Sequence, residues 1–434
     1  MGKEKTSINV HVNSPCGVHL LLLIITGYAL LFAWARITGW FQGDYLFFIP
    51  AARSIVNGSF DIYSHRLYPE IAPPYGLGYA YPPILAVLLA PFVALGDLLG
   101  LSNETIARYL LTIPLLAFDL LCVGVFLKVA KQLNGNMGNK SRAFLAVAIL
   151  ACPGFIVTSA YLNHTESLLS FFTIAGYGFF VAGLPVWSGM FFAFALMSKQ
   201  TALFALLPVV FIAFRESLTQ RKLKNFASFT AAIALPCLVI QVPFVIAEPH
   251  AAYYALVTGQ ERLIVGGDNL WAFILKGIQL ALPAYGERAE ELIRGNAHMI
   301  LMASNMVLTG WIIFKRKLLF TPVNLAGIMA LSSFFPVVLS KWGSSVMYKI
   351  LPVLFLLLWD IGIKNHPWPL LSVGVLLGYG FFDALPVGVF PTPVGDAQLM
   401  MRALFKAVMT LGVMGYLYRS LIRERTGQTW KIPN

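Results

Sequence analysis

The sequence predicts an all-α polytopic membrane protein, and three observations carry that expectation. Hydrophobic residues fill 58% of the 434 positions and charged ones only 12%, about half the charge of an average soluble domain. Mean hydropathy is +0.74. Apolar runs of about 18 residues or more, long enough to cross a hydrocarbon core of about 30 Å, recur from one end to the other. The net charge of +12 does not point to nucleic acid, because the basic residues fall in short clusters between apolar runs, as cytoplasmic loops do. Cys16, Cys122, Cys152 and Cys237 lie in or beside apolar segments without CxxC spacing, so they read as membrane-buried thiols. No soluble domain, glycine-rich nucleotide loop or low-complexity linker interrupts the pattern.

The elements follow in order. The first apolar run, 18–40, is too long for a signal-peptide core and lacks a small-residue cleavage site, so it reads as a retained helix. Basic clusters around Lys128–Arg142, Arg215–Lys224, Lys315–Lys317 and Arg419–Lys431 belong inside. Parity between them requires that two apolar stretches, 82–98 and 268–283, lie at the outer face without crossing. Crossings then fall near 104–131, 143–160, 166–184, 187–197, 201–214, 226–247, 297–314, 319–338, 346–362, 367–389 and 398–419, for about twelve in all with both termini inside. Segments 187–197 and 201–214 look too short for a full bilayer, and we expect them to meet beside a thinned or water-filled pocket. The expected division of this single membrane domain is a cytoplasmic N-terminus (1–17), a long outer loop with juxtamembrane helices (41–103), a core module (104–247), an outer loop (248–296), C-terminal helices (297–419) and a cytoplasmic tail (420–434).

This topology gathers acids and histidines outside. The first loop opens on Asp44 and continues through a helix-compatible stretch, Phe47–Val56, that stops at Asn57-Gly58. A Tyr- and Pro-rich turn then leads to Tyr81-Pro82-Pro83 and an apolar helix. Its amphipathic pieces suit the membrane interface, although a plain structural cap over the bundle reads the same way. His164 and Glu166 stand where the chain emerges outside again. Lys199 and Gln200, between two apolar runs, are costly unless they snorkel or face a cavity, and Lys199 can either snorkel or face an anion. Lys341 and Lys349 place cations on the outer side, near lipid phosphates. Asp119, in mid-membrane, is expected to be hydrogen-bonded within the bundle.

Several stretches resemble one family in the same order. After Asp44 come AAR-x-I-V-x-G-x-x-D-I-Y (from Ala51) and Y-x-Y-P-P-I-x-A-x-L-L-A-P (from Tyr79), then CPGFIVTSAYLNHTESLL (from Cys152) and MSKQTALFALLP (from Met197). Over roughly residues 40–210 the chain resembles the GT-C glycosyltransferases, in particular bacterial family 87 and the GPI mannosyltransferase I type. The resemblance implies a GT-C-like bundle that moves a sugar, typically mannose, with inversion from a polyprenyl-phosphate donor to a glycolipid acceptor on the extracytoplasmic face.

In that family the acid after the first helix is the catalytic carboxylate, and here it is Asp44. Relatives with D-x-D at this point have two acids, whereas Gln42-Gly43-Asp44 has one, which implies a general base and no metal or other cofactor. The expected phosphate holders are Lys199, Lys341 and Lys349, and the expected substrate pocket takes in Arg53, Tyr81, His164, Glu166 and Gln200. Partners are then the lipid-linked donor, the acceptor and membrane lipids, not nucleic acid. The rival reading is a transporter or lipid flippase, which predicts mid-membrane charges and an internal repeat. Most charges instead sit at the outer rim, and no repeat is evident.

Overall fold

The computed structural model describes residues 15–38, 45–68, 79–161, 166–220, 223–258, 270–315, 320–340, 346–363, 372, 374–375, 378–379 and 396–423, and among these there is no strand. The first helix, α1 (Pro15–Ile37), buries Tyr28, Phe32 and Ala35 along one stripe and leaves Leu22, Leu23 and Leu30 exposed, as a helix on the lipid-facing rim should. Two short helices follow, α2 (Tyr45–Val56) and α3 (Ile84–Leu98), packed side by side. At 1.5 Å per residue, α3 reaches about 22 Å, short of the roughly 30 Å of a bilayer core. Its length therefore agrees with the interfacial placement expected for 82–98. The stop expected at Asn57-Gly58 is also found, with Gly58 at φ 75°, a conformation glycine adopts without steric cost.

A π-helical segment, Ile106–Leu110, runs into α4 (Thr112–Leu133). After α5 (Asn139–Leu150), a short turn leads to a second π segment, Val157–Tyr161. The hairpin of α6 (Glu166–Val181) and α7 (Pro185–Ser198) turns on Gly183, at φ 75°, with Pro185 opening α7. Then come α8 (Ala202–Gln220) and α9 (Leu223–Ala247), the latter against α7. The short α10 (Leu270–Ala281) precedes α11 (Gly286–Gly310), α12 (Pro322–Ser333) and α13 (Phe335–Leu339), and α14 (Val346–Gly362) and α15 (Asp396–Arg423) complete the bundle. Helices α12 and α14 are buried on nearly every side and form its centre.

Among the described residues, seven helical stretches are long and apolar enough to cross a membrane: His19–Ile37, Asn103–Leu133, Ala202–Gln220, Leu223–Ala247, Pro283–Lys315, Pro322–Leu339 and Met400–Ile422. The other expected crossings fall on shorter helices or, for 367–389, mostly outside the described residues. One expectation is corrected. The segment expected to end at 214 continues to Gln220, giving a 19-residue helix of spanning length. Arg215 does not end it, because its Nη1 donates to the carbonyl of Ile313 at 2.8 Å and Nη2 meets Glu216 at 3.0 Å.

One buried cation ties the two π segments together. Arg36, fully buried in the last turn of α1, donates through Nη1 to the carbonyl of Ala160 (3.1 Å), through Nη2 to that of Ala107, and through Nε to the Thr112 hydroxyl (3.2 Å). A π segment shifts its backbone hydrogen bonds by one residue and turns carbonyls away from the helical ladder, which gives this guanidinium its acceptors.

Candidate functional site

The site grows from the first loop. On α2, Phe48, Ile49, Ala51 and Ala52 turn inward. Arg53, on another face, makes a two-pronged pair with Asp97 at the end of α3 (Nε to Oδ2 2.8 Å, Nη2 to Oδ1 2.6 Å) and reaches Asn103 at 2.9 Å. That hydrogen-bonded pairing holds the Asp97 carboxyl below its usual range and raises the Arg53 guanidinium above its own. Beyond Gly58, Asp61 accepts from the hydroxyls of Ser54 and Ser59, both at 2.6 Å, which also lowers its carboxyl.

The loop then folds into a set of packed aromatic rings. Ring centroids lie 5.6 Å apart for Phe48–Tyr81, 5.9 Å for Tyr79–Tyr81, and 6.1 Å for both Phe48–Tyr79 and Tyr63–Tyr79. The Tyr63 hydroxyl donates to the carbonyl of Tyr81 (3.1 Å) and that of Tyr79 to the carbonyl of Pro82 (3.0 Å). Burial pushes both phenols up. Two contacts fasten this loop to α9, Phe60 edge-on to Phe244 at 5.3 Å and Gln241 donating to the Tyr63 hydroxyl at 3.1 Å.

Behind the rings lies a buried ion pair. Lys199, which follows α7, is only 6% exposed and meets the carboxylate of Glu166, itself 2% exposed at the start of α6. Its Nζ stands 5.9 Å from the centre of the Tyr81 ring, and neighbouring Gln200 donates to the Ala80 carbonyl at 3.3 Å. The lysine thus faces an anion rather than snorkelling, and that anion is the protein's own Glu166. Burying two charges is tolerable only when they are paired in good geometry.

Below this pair, Asp119 is fully buried on α4 and accepts from three hydroxyls, Tyr28 and Ser159 at 2.6 Å each and Ser167. It is hydrogen-bonded within the bundle, as expected. Ser159 and Ser167 flank the segment 162–165, so one carboxylate oxygen pins both ends of the chain leading into Glu166.

Of the residues singled out from the sequence, the structure therefore brings together Tyr81, Glu166, Lys199 and Gln200. Arg53 is held apart by Asp97. Lys349 belongs to a different buried group, with its Nζ 5.1 Å from the Tyr379 ring centre. Asp44, His164 and Lys341 lie outside the described residues, although Asp44 directly precedes α2 and His164 stands two positions before Glu166. Sequence reasoning passed over Gln241 and Arg36. The signal for Arg36 was faint, a single arginine in the last turn of an apolar helix that composition reads as an interfacial anchor.

No family model matches the sequence, and no curated protein matches it significantly. Solved structures do. ArnT from Cupriavidus metallidurans, bound to undecaprenyl phosphate, aligns with a TM-score of 0.50 at 18% identity, over 92% of this chain and 73% of that one. The same protein in the apo state aligns with a TM-score of 0.50 at 17% identity, over 93% and 73%. The chain has the fold of ArnT.

Proposed function

We propose that the protein is a membrane glycosyltransferase of the GT-C class that takes its sugar from a polyprenyl-phosphate donor. The observation that carries this reading is the ArnT-like fold extending over 92% of the chain. Within that class, the ordered motifs from Asp44 to Pro208 favour a family 87-like or GPI mannosyltransferase I-like enzyme, with mannose as the sugar and a glycolipid acceptor on the extracytoplasmic face.

In the mechanism, Asp44 removes the proton from the acceptor hydroxyl. The oxygen attacks the anomeric carbon from the face opposite the leaving group. The bond from that carbon to the phosphate oxygen breaks, releasing polyprenyl phosphate with inversion. Cations hold the charge that grows on the leaving phosphate, and Lys199, Lys341 and Lys349 are the candidates. Lys199 enters this role already paired with Glu166, so that pair also orients the Tyr81 loop, with Gln200 and His164 beside the sugar.

The test is transfer of radiolabelled mannose from a polyprenyl-phosphate donor to membrane lipid by the purified protein. Asp44→Asn should fold normally and lose at least about 100-fold in rate, the lower end of what a general base contributes. A normally folded Asp44→Asn protein with full activity refutes the base. Solute uptake into proteoliposomes without any sugar transfer favours the transporter instead.

A further inference from the structure

Gln241 is an awkward residue for a lipid-facing helix. From Ala231 to Ala247 the run AAIALPCLVIQVPFVIA carries this one amide, and an unbonded amide is costly among lipid tails. Val239, Val242 and Ile246 of α9 are exposed, whereas Gln241 and Phe244 turn to the first loop. Phe244 already fastens that loop through Phe60. The amide therefore adds direction rather than adhesion, and its direction can be followed.

Its Nε2 donates to the Tyr63 hydroxyl at 3.1 Å, and that hydroxyl donates in turn to the Tyr81 carbonyl at 3.1 Å. An amide NH2 can only donate, so the hydroxyl accepts from it and its single proton goes to Tyr81. The carbonyls on either side are held in the same way. Gln200 donates to that of Ala80 at 3.3 Å and Tyr79 to that of Pro82 at 3.0 Å. Three consecutive carbonyls, 80–82, outside any helix, are thus each held by a side chain. Pro82 and Pro83 stiffen the same stretch, because each fixes its own φ and restricts the residue before it.

This bracing fixes the Tyr81 ring. Tyr63 and Tyr79 are 1% and 0% exposed, but Tyr81 is only half-buried. Phe48 and Tyr79 back its ring at 5.6 and 5.9 Å, and the Lys199 Nζ stands 5.9 Å from its centre. Gln200, next to Lys199 in the chain, ties the backbone before Tyr81 to the turn that carries the cation. Ring and cation are therefore set against each other by Gln200 from the turn between α7 and α8, and by Gln241 from α9 through Tyr63.

We propose that Gln241 and Tyr63 are positioning residues of the sugar-transfer site, orienting Tyr81 against Lys199 without touching substrate themselves. This deepens the reading given above and rests on it for the kinetic part of the test alone. A misplacement of about 1 Å is enough to cost about 100-fold in rate. A loop outside regular structure keeps within such a tolerance only when its backbone is braced. Helix α9 then acts on the site through two hydrogen bonds in series.

The test uses the full-length protein in detergent with two readouts, the fluorine resonance of 3-fluorotyrosine placed at position 81 and transfer of radiolabelled mannose from a polyprenyl-phosphate donor. Tyr63→Phe should lower kcat at least about tenfold with KM within about twofold, as lost positioning does. Gln241→Leu should lower kcat at least about threefold by the same route, and the double variant should be no slower than Tyr63→Phe alone. Losses that multiply in the double variant overturn the series, as does a raised KM at unchanged kcat. The wild-type resonance should be one narrow line that either variant broadens or splits, and a line unmoved by both overturns the proposal. Gly189→Ala strains the same helix through Phe229 and Ala232, and it should lower the melting temperature while leaving kcat and the line unchanged. An equal kcat loss there overturns the positioning role in favour of a merely structural one. Where Gln241→Leu fails to fold, Tyr63→Phe leaves α9 intact and decides by both readouts. Lines that respond in a protein that transfers no sugar defeat the enzyme reading alone, whereas sugar transfer untouched by both variants defeats the positioning alone.

Discussion

Glu166 and Lys199 are worth more together than apart. Removing one partner strands a buried charge, at a cost of about 3–5 kcal/mol, so Glu166→Gln and Lys199→Met should each destabilise by about that much. The double variant should lose far less than the sum, with a coupling of at least about 1 kcal/mol in a double-mutant cycle read by denaturation in detergent. The Arg53–Asp97 pair sits at the other extreme, with both side chains about a third exposed. Solvent screening limits it to about 0.2–1 kcal/mol despite its two-pronged geometry. Because Asp97 titrates below its unfolded value, its stabilisation is present above about pH 4 and fades as pH falls further, through the lowered folded value. Asp97→Asn should therefore lower the melting temperature slightly at neutral pH and flatten the stability curve below about pH 4. An unchanged acid limb would remove the pair from that role.

Helix against helix, α7 approaches the backbone of α9 closely. A Cβ added at Gly189 would lie 2.6 Å from the Phe229 carbonyl oxygen and 2.7 Å from the Ala232 Cβ, so backbone would have to move. Small residues at such crossings let membrane helices pack through their backbones. Gly189→Ala should cost about 1–3 kcal/mol by overpacking, measured as a lowered unfolding midpoint. Gly277→Ala on α10, with open space around its Cβ position, is the matched control. Crossings of this kind explain what the sequence could and could not reveal about elements. Helix α14 was legible at Val346–Gly362, since a run buried on all sides has no polar face to blur its ends. Helix α8 was misread because Arg215 looked like a loop residue, and the carbonyl that satisfies it belongs to Ile313, far away in the chain.

For the molecule as a whole, hydropathy carried the all-helical fold class, because it is a local sum over many residues. The grouping of Tyr81, Glu166, Lys199 and Gln200 was partly legible, since each is an awkward polar or aromatic residue beside apolar runs. The surroundings of the buried Lys349 were not, since the Tyr379 ring beside it is supplied by a later stretch of chain. Arg36 shows the same dependence on distant chain, with a consequence for biogenesis. Its carbonyl partners lie 71 and 124 residues further on. At about 5–20 residues per second of synthesis, the second of them is made about 6–25 s after the arginine. The acceptors at Ala107 and Thr112 are available before the one from the second π segment, so the set described above completes in two steps. The Arg36 contacts that fasten the first helix are therefore complete only after α4 and α5 have been made, yet before any helix from α6 onward exists.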